Sequence, residues 1–167
     1  MDIQTAFELY NKQSWQQALR ICQQVLNDSP QDSDAWHIGG VCCKNLNDLD
    51  QARDYLETAT KLAPENWEPW YNLALVYQDL GSWHASLSAC DAGLEINPQA
   101  QQIKVCLLIN LAKLGQSENW QAAWQHVCLL DTTFGWDLVA QACEQQGWFG
   151  EAQQVYDQLI KREPQQA

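Results

Sequence analysis

The sequence is short of positive charge. Nine Lys and Arg stand against 21 Asp and Glu in 167 residues, a formal net charge of -12. A nucleic-acid binder needs a basic stripe to displace counterions from phosphates, and none is present. An anionic membrane surface would repel the chain for the same reason. No apolar run approaches the roughly 20 residues needed to cross a bilayer, so membrane insertion is not expected. The opening stretch MDIQTAFELYNKQSW carries an acid at Asp2 and lacks a basic start leading into an apolar core. It does not read as a secretory signal.

Residues that carry chemistry are equally sparse. The histidines, His37, His84 and His126, lie too far apart for helical neighbours to share a metal. The seven cysteines include no C-x-x-C pair, and Cys42 and Cys43 are adjacent, which does not match zinc-ligand spacing. An odd count without a signal peptide points to reduced thiols in the cytoplasm, acting as small apolar fillers. There is no glycine-rich phosphate loop, since Gly39-Gly40 falls inside a helical pattern where helices cross. No nucleophile and base stand at a catalytic spacing. The expectation is a protein without catalytic residues, cofactor or metal, whose partners are other proteins.

What the chain does contain is a period. Pro30, Pro64 and Pro98 are 34 residues apart. Trp36, Trp70 and Trp136 each stand 28 residues before Pro64, Pro98 and Pro164. Ala18, Ala52, Ser86 and Ala152 each stand 12 before a proline, at places where two helices must approach closely. Leu80-Gly81, Leu114-Gly115 and Gln146-Gly147 close helical stretches. Each repeat reads as helix, turn, helix, turn, with proline stopping the second helix. Helices are expected at Ile3 to Asn11, Asp34 to Asn45, Asp48 to Leu62, Glu68 to Leu80, Trp83 to Ile96 and Glu151 to Arg162. One array of five repeats follows, at about 1–32, 33–66, 67–100, 101–132 and 133–167. The fourth repeat places QSEN between Gly115 and Trp120, where the third has only Ser82. This reads as three extra residues, with Trp120 beginning a second helix as Trp15 and Trp83 do, and with an irregular stretch somewhere in 116–135. Asp48 and Asp50, at a turn and beside a helix start, read as capping residues.

This pattern, carried by Trp70, Leu73-Ala74, Tyr77, Ser86, Cys90 and Pro98 and again by Trp36, Gly39-Gly40, Cys43, Ala52, Leu56, Ala59 and Pro64, resembles that of the tetratricopeptide repeat proteins. The resemblance implies an all-α fold, a right-handed α-solenoid of antiparallel helix pairs whose first helices line a concave face. It further implies that inward-facing residues lie one, five and eight positions after the Trp-type position. These are His37, Val41 and Lys44, then Tyr71, Leu75 and Gln78, then Val105, Ile109 and Ala112. Ile3, Phe7 and Tyr10 come from the first repeat, and the polar Asp137, Gln141 and Glu144 from the fifth. The amide of Asn72 joins them as a clamp-type residue. An apolar, aromatic groove suits a peptide or amphipathic helix of a partner, basic around an apolar anchor. Tyr71, Val105, Phe7 and His37 are the leading contacts, although Val41, Leu75 and Ile109 equally suit packing between helices. The clamp that some relatives use for acidic chaperone tails is not matched, because Ile3 and Phe7 stand where Lys and Asn are needed.

An adaptor or scaffold is the reading that follows. The alternatives are a recruiting region of a larger enzyme such as a glycosyltransferase, and a secretion or assembly chaperone. Self-association through the short first helix is also open.

Overall fold

The computed structural model describes residues 2–129, 133 and 135–162. Those residues form ten helices and no strand. In chain order they are α1 (Ile3–Asn11), α2 (Trp15–Asp28), α3 (Ser33–Asn45), α4 (Leu49–Leu62), α5 (Trp67–Asp79), α6 (Trp83–Ile96), α7 (Gln101–Lys113), α8 (Ser117–Val127), α9 (Trp136–Gln145) and α10 (Phe149–Arg162). None is long and apolar enough to cross a membrane. The chain forms two compact units, one over residues 1–82 and one over 83–167.

The odd-numbered helices all end in the same way. Gln13 (φ 57°), Asn47 (62°), Gly81 (70°), Gly115 (71°) and Gly147 (76°) adopt the left-handed conformation immediately after a capping residue. In each case the left-handed N–H and the one after it turn back onto the last helical carbonyls. Gly81 N donates to Gln78 O at 2.9 Å and Ser82 N to Tyr77 O at 2.8 Å; Gln13 N and Ser14 N do the same to Tyr10 and Leu9. This is the Schellman arrangement, which satisfies carbonyls the helix would otherwise leave bare. An L side chain in this conformation costs about 1–2 kcal/mol, and the extra freedom of an unfolded glycine offsets about 0.5–1. Gln13→Gly should therefore raise stability by about 0.5–1 kcal/mol in urea denaturation. Asn47→Gly should gain less, because Asn tolerates the conformation better than Gln. A loss in both variants would show that the side chains hold the turn.

Three of the even-numbered helices stop for a different reason. α2, α4 and α6 end two residues before Pro30, Pro64 and Pro98. Side-chain caps fix the starts of α3, α4 and α5: Asp32 accepts from Ala35 N at 2.9 Å, Asp48 from Gln51 N at 3.2 Å, and Asn66 from Glu68 N at 3.1 Å. Asp50 does not cap; it pairs with Arg53.

In the amino-terminal unit, α1 to α5 bury two clusters. Ala6, Ile21, Cys22, Val25, Leu26 and Ala35 make one; Val41, Cys43, Ala52, Leu56, Leu73 and Val76 make the other. α3 and α4 meet closely at Gly40, where an added Cβ would lie 2.7 Å from Leu56 Cγ.

In the carboxy-terminal unit the expected insertion is not there. α8 begins at Ser117, two residues after Gly115, just as α6 begins two residues after Gly81. Counting from the turn therefore puts Trp120 inside the helix, in register with Ala18, Ala52 and Ser86. Trp120 is fully buried, stacks on Trp124 at 5.6 Å, and Trp124 meets Trp136 edge-on at 5.0 Å. The irregularity lies at the other end of α8, which has 11 residues where α2, α4, α6 and α10 each have 14. Arg162 covers this place, lying over the Trp136 ring at 5.1 Å and donating to Cys128 O at 2.8 Å. Residues 130–132 and 134, like Pro164, lie outside the described residues.

Candidate functional site

Three odd-numbered helices of the amino-terminal unit, α1, α3 and α5, carry most of the expected contact residues. Helical spacing sets Ile3, Phe7 and Tyr10 along α1, His37, Val41 and Lys44 along α3, and Tyr71, Leu75 and Gln78 along α5. Phe7 is 46% exposed and stacks on Tyr10 at 6.4 Å. His37, Lys44, Tyr71, Asn72, Leu75 and Gln78 are half-buried. Ile3 and Tyr10 are also half-buried, packed on the two clusters below.

Three of the expected inward-facing residues, Val41, Val105 and Ala112, are instead core. Val41 is 8% exposed and belongs to the second cluster of its unit. Val105 is 5% exposed, and its Cγ1 lies 2.8 Å from where a Cβ on Gly135 would sit. Gly135 therefore covers Val105, which cannot serve as a leading contact. Ile109 packs half-buried against the same core, and Ala112 is fully buried within it. Asp137, Gln141 and Glu144 on α9 are exposed and polar.

Polar groups on the α3–α5 face are joined in pairs. Asn72 Nδ2 lies 2.8 Å from His37 Nε2 and donates to Glu68 O at 3.1 Å. A backbone carbonyl can only accept, so the atom facing Glu68 is the amide nitrogen. His37 Nε2 must then be the bare acceptor, with the ring proton on Nδ1. Burial pushes the His37 pKa down to about 4, against the weaker opposite pull of Asp34. A neutral ring is what the pair requires, because a protonated Nε2 would face another donor. Two turns of helix further on, Lys44 pairs with Asp79 at 3.0 Å. Sequence reasoning missed Asp79. The signal was available: His37 to Asn72 and Lys44 to Asp79 share an offset of one repeat plus one residue.

Five of the seven thiols offer little nucleophilic chemistry. Burial raises Cys22, Cys42, Cys43 and Cys143 to about 12. Cys90 is raised by its hydrogen bond to Cys106 and by burial. No group of three or more His, Cys, Asp or Glu among the described residues could hold a metal ion.

Comparison with known proteins places this architecture. Two family models described as tetratricopeptide repeat match residues 44–101 and 135–166, together more than half of the chain. The crystal structure of MamA superposes with a TM-score of 0.82 at 17% identity, over 99% of this chain and 97% of that one. YrrB, described as a tetratricopeptide repeat protein with an unusual peptide-binding site, gives 0.78 at 18% identity, over 98% and 85%. Likeness at this identity is likeness of fold. In sequence, BBSome complex member BBS4 of Bos taurus is 27% identical over 96 residues, 58% of this chain. The chain spans about a fifth of the length of the curated relatives it matches, 18% of the bovine protein and 20% of its Mus musculus counterpart. Helix pairs on a 34-residue period, turns of one geometry, and two matching family models lead to one conclusion: the chain belongs to the tetratricopeptide repeat family.

Proposed function

We propose that the chain is a non-enzymatic adaptor that holds a segment of another protein against α1, α3 and α5. A fold of this family supports protein–protein interaction in general. The observation that carries the finer reading is the composition of that face. Phe7 stands exposed on α1, Tyr71 and Leu75 are half-buried on α5, and a few oriented polar groups accompany them at His37, Asn72, Lys44 and Gln78. Apolar anchors with sparse fixed polar groups are the make-up of peptide-binding grooves and interface hot spots. The peptide-binding site named for YrrB, and the place of BBS4 in a multiprotein complex, are in keeping with it. A surface of net charge -12 favours a partner with basic flanks. Thiols that are all free suit a reducing compartment such as the cytoplasm.

A pull-down from native extract, read by mass spectrometry, tests this with wild type, Phe7→Glu and Leu75→Glu as baits. One protein retained by wild type and lost by both variants is expected, with helicity unchanged by circular dichroism. Equal recovery on all three would move binding off this face. Self-association through α1 is the competing use of Phe7. Sedimentation would reveal it as a dimer that Phe7→Glu disperses and Leu75→Glu does not.

A further inference from the structure

Charge on the α3–α5 face is uneven. At the carboxy-terminal ends of these helices, Lys44 and Asp79 neutralise each other. At their amino-terminal ends stand Asp34 and Glu68, both exposed, and neither forms an ion pair among the described residues. Asp34 lies one turn from His37, and Glu68 one turn from Asn72, so helical spacing sets each carboxylate beside one member of that pair. The helix amino termini contribute about half a positive charge each, less than the full charge on each carboxylate. The rim is therefore net negative.

Asn72 adds a second, independent constraint. Both of its amide hydrogens are spent, on His37 Nε2 and on Glu68 O. What the side chain has left to offer is Oδ1, which can only accept. An arriving carboxylate would meet two like charges and a lone pair. An arriving ammonium or guanidinium would meet two counter-charges and a neutral acceptor.

We propose that a lysine or arginine side chain of the bound protein segment docks at this rim, on Asn72 Oδ1 with Asp34 and Glu68 as counter-charges. This rests on the adaptor reading and makes it more specific. It places the basic residue of the segment at the amino-terminal ends of α3 and α5, with an apolar anchor one turn beyond Asn72 along α5, at Leu75.

The test is selection of a random twelve-residue phage-displayed peptide library on the whole chain, followed by titration of the enriched peptides. Wild type, the exposed and fold-neutral pair Asp34→Asn with Glu68→Gln, and Leu75→Glu are compared. The expected outcome is a Lys or Arg preference at one position beside an apolar residue. Binding of those peptides should weaken about fivefold to tenfold in the paired variant, with a shallower salt dependence, and vanish in Leu75→Glu. Peptides that need Leu75 but lack a basic preference, or basic peptides indifferent to the paired variant, would overturn the inference and leave the adaptor reading standing. Enriched peptides untouched by Leu75→Glu, or no enrichment at all, would overturn both.

Discussion

Replacing Trp120 with Ala should cost about 3–5 kcal/mol, the largest loss expected of any single substitution described above. Trp120 is fully buried, and removing it leaves a cavity beside its stacked neighbour Trp124. Ala is nevertheless what the same register position holds in α2 and α4, as Ala18 and Ala52. Two outcomes are thus distinguishable. If α7 and α8 are held apart by the rest of the indole cluster, the cavity persists and the full cost appears. If the pair closes to the spacing of its siblings, the cavity part of the loss disappears and about 2–3 kcal/mol, the lost burial of the indole, remains. Hydrogen exchange should show lost protection in α7 to α10 and none in α1 to α4, since each helix pair leans mainly on its neighbours. Trp120→Phe is a useful companion. The indole Nε1 of Trp120 is buried without a partner among the described residues. Phe removes that donor as well as some area, so it should change stability by no more than about 1 kcal/mol.

Acidification should destabilise the amino-terminal unit through His37 by about 3 kcal/mol at pH 4 and below. The sign follows from the depressed pKa. His37 titrates near 4 when folded and from 6.5 when unfolded. Between those values the unfolded chain binds the proton and the native chain does not. Stability is therefore complete above pH 6.5 and falls as pH drops through the window to 4. The cause is chiefly burial of the ring, with the Asn72 donor opposing the same protonation. Urea titrations of wild type and His37→Gln from pH 7.5 to 3.5 would measure it. Carboxylates shared by both proteins cancel in the difference. A difference that stays constant across the range would mean that His37 protonates freely in the native state.

Much of the fold was legible because its punctuation is chemical. Gly81, Gly115 and Gly147 announce their turns, and the prolines announce the ends of the second helices. The turns at Gln13 and Asn47 carry the same backbone without the glycine, so composition alone did not mark them. Residue type pairs Trp120 with Trp83. Counting from Gly115 puts it in register with Ser86, an assignment its bulk argues against. The candidate face was harder to read. Helical spacing supplied the strip on each helix, but whether a strip stays open depends on what lies over it. Gly135 covers Val105, from 30 residues away in the chain. The His37–Asn72 and Lys44–Asp79 contacts join residues on successive first helices, and they came into view only once those helices were laid side by side.

The indole cluster has an optical consequence. Trp120 and Trp124 stack nearly parallel, at an interplanar angle of 16°, and Trp124 meets Trp136 at 67°. Chromophores held that close share their excited states, so the cluster should give a coupled circular-dichroism band that weakens when α8 and α9 separate and is lost when α8 itself unfolds. All three rings belong to residues 83–167, whereas Trp15, Trp36, Trp67 and Trp70 belong to residues 1–82. One spectrum could therefore follow the melting of one unit while fluorescence follows the whole chain, and no label need be attached.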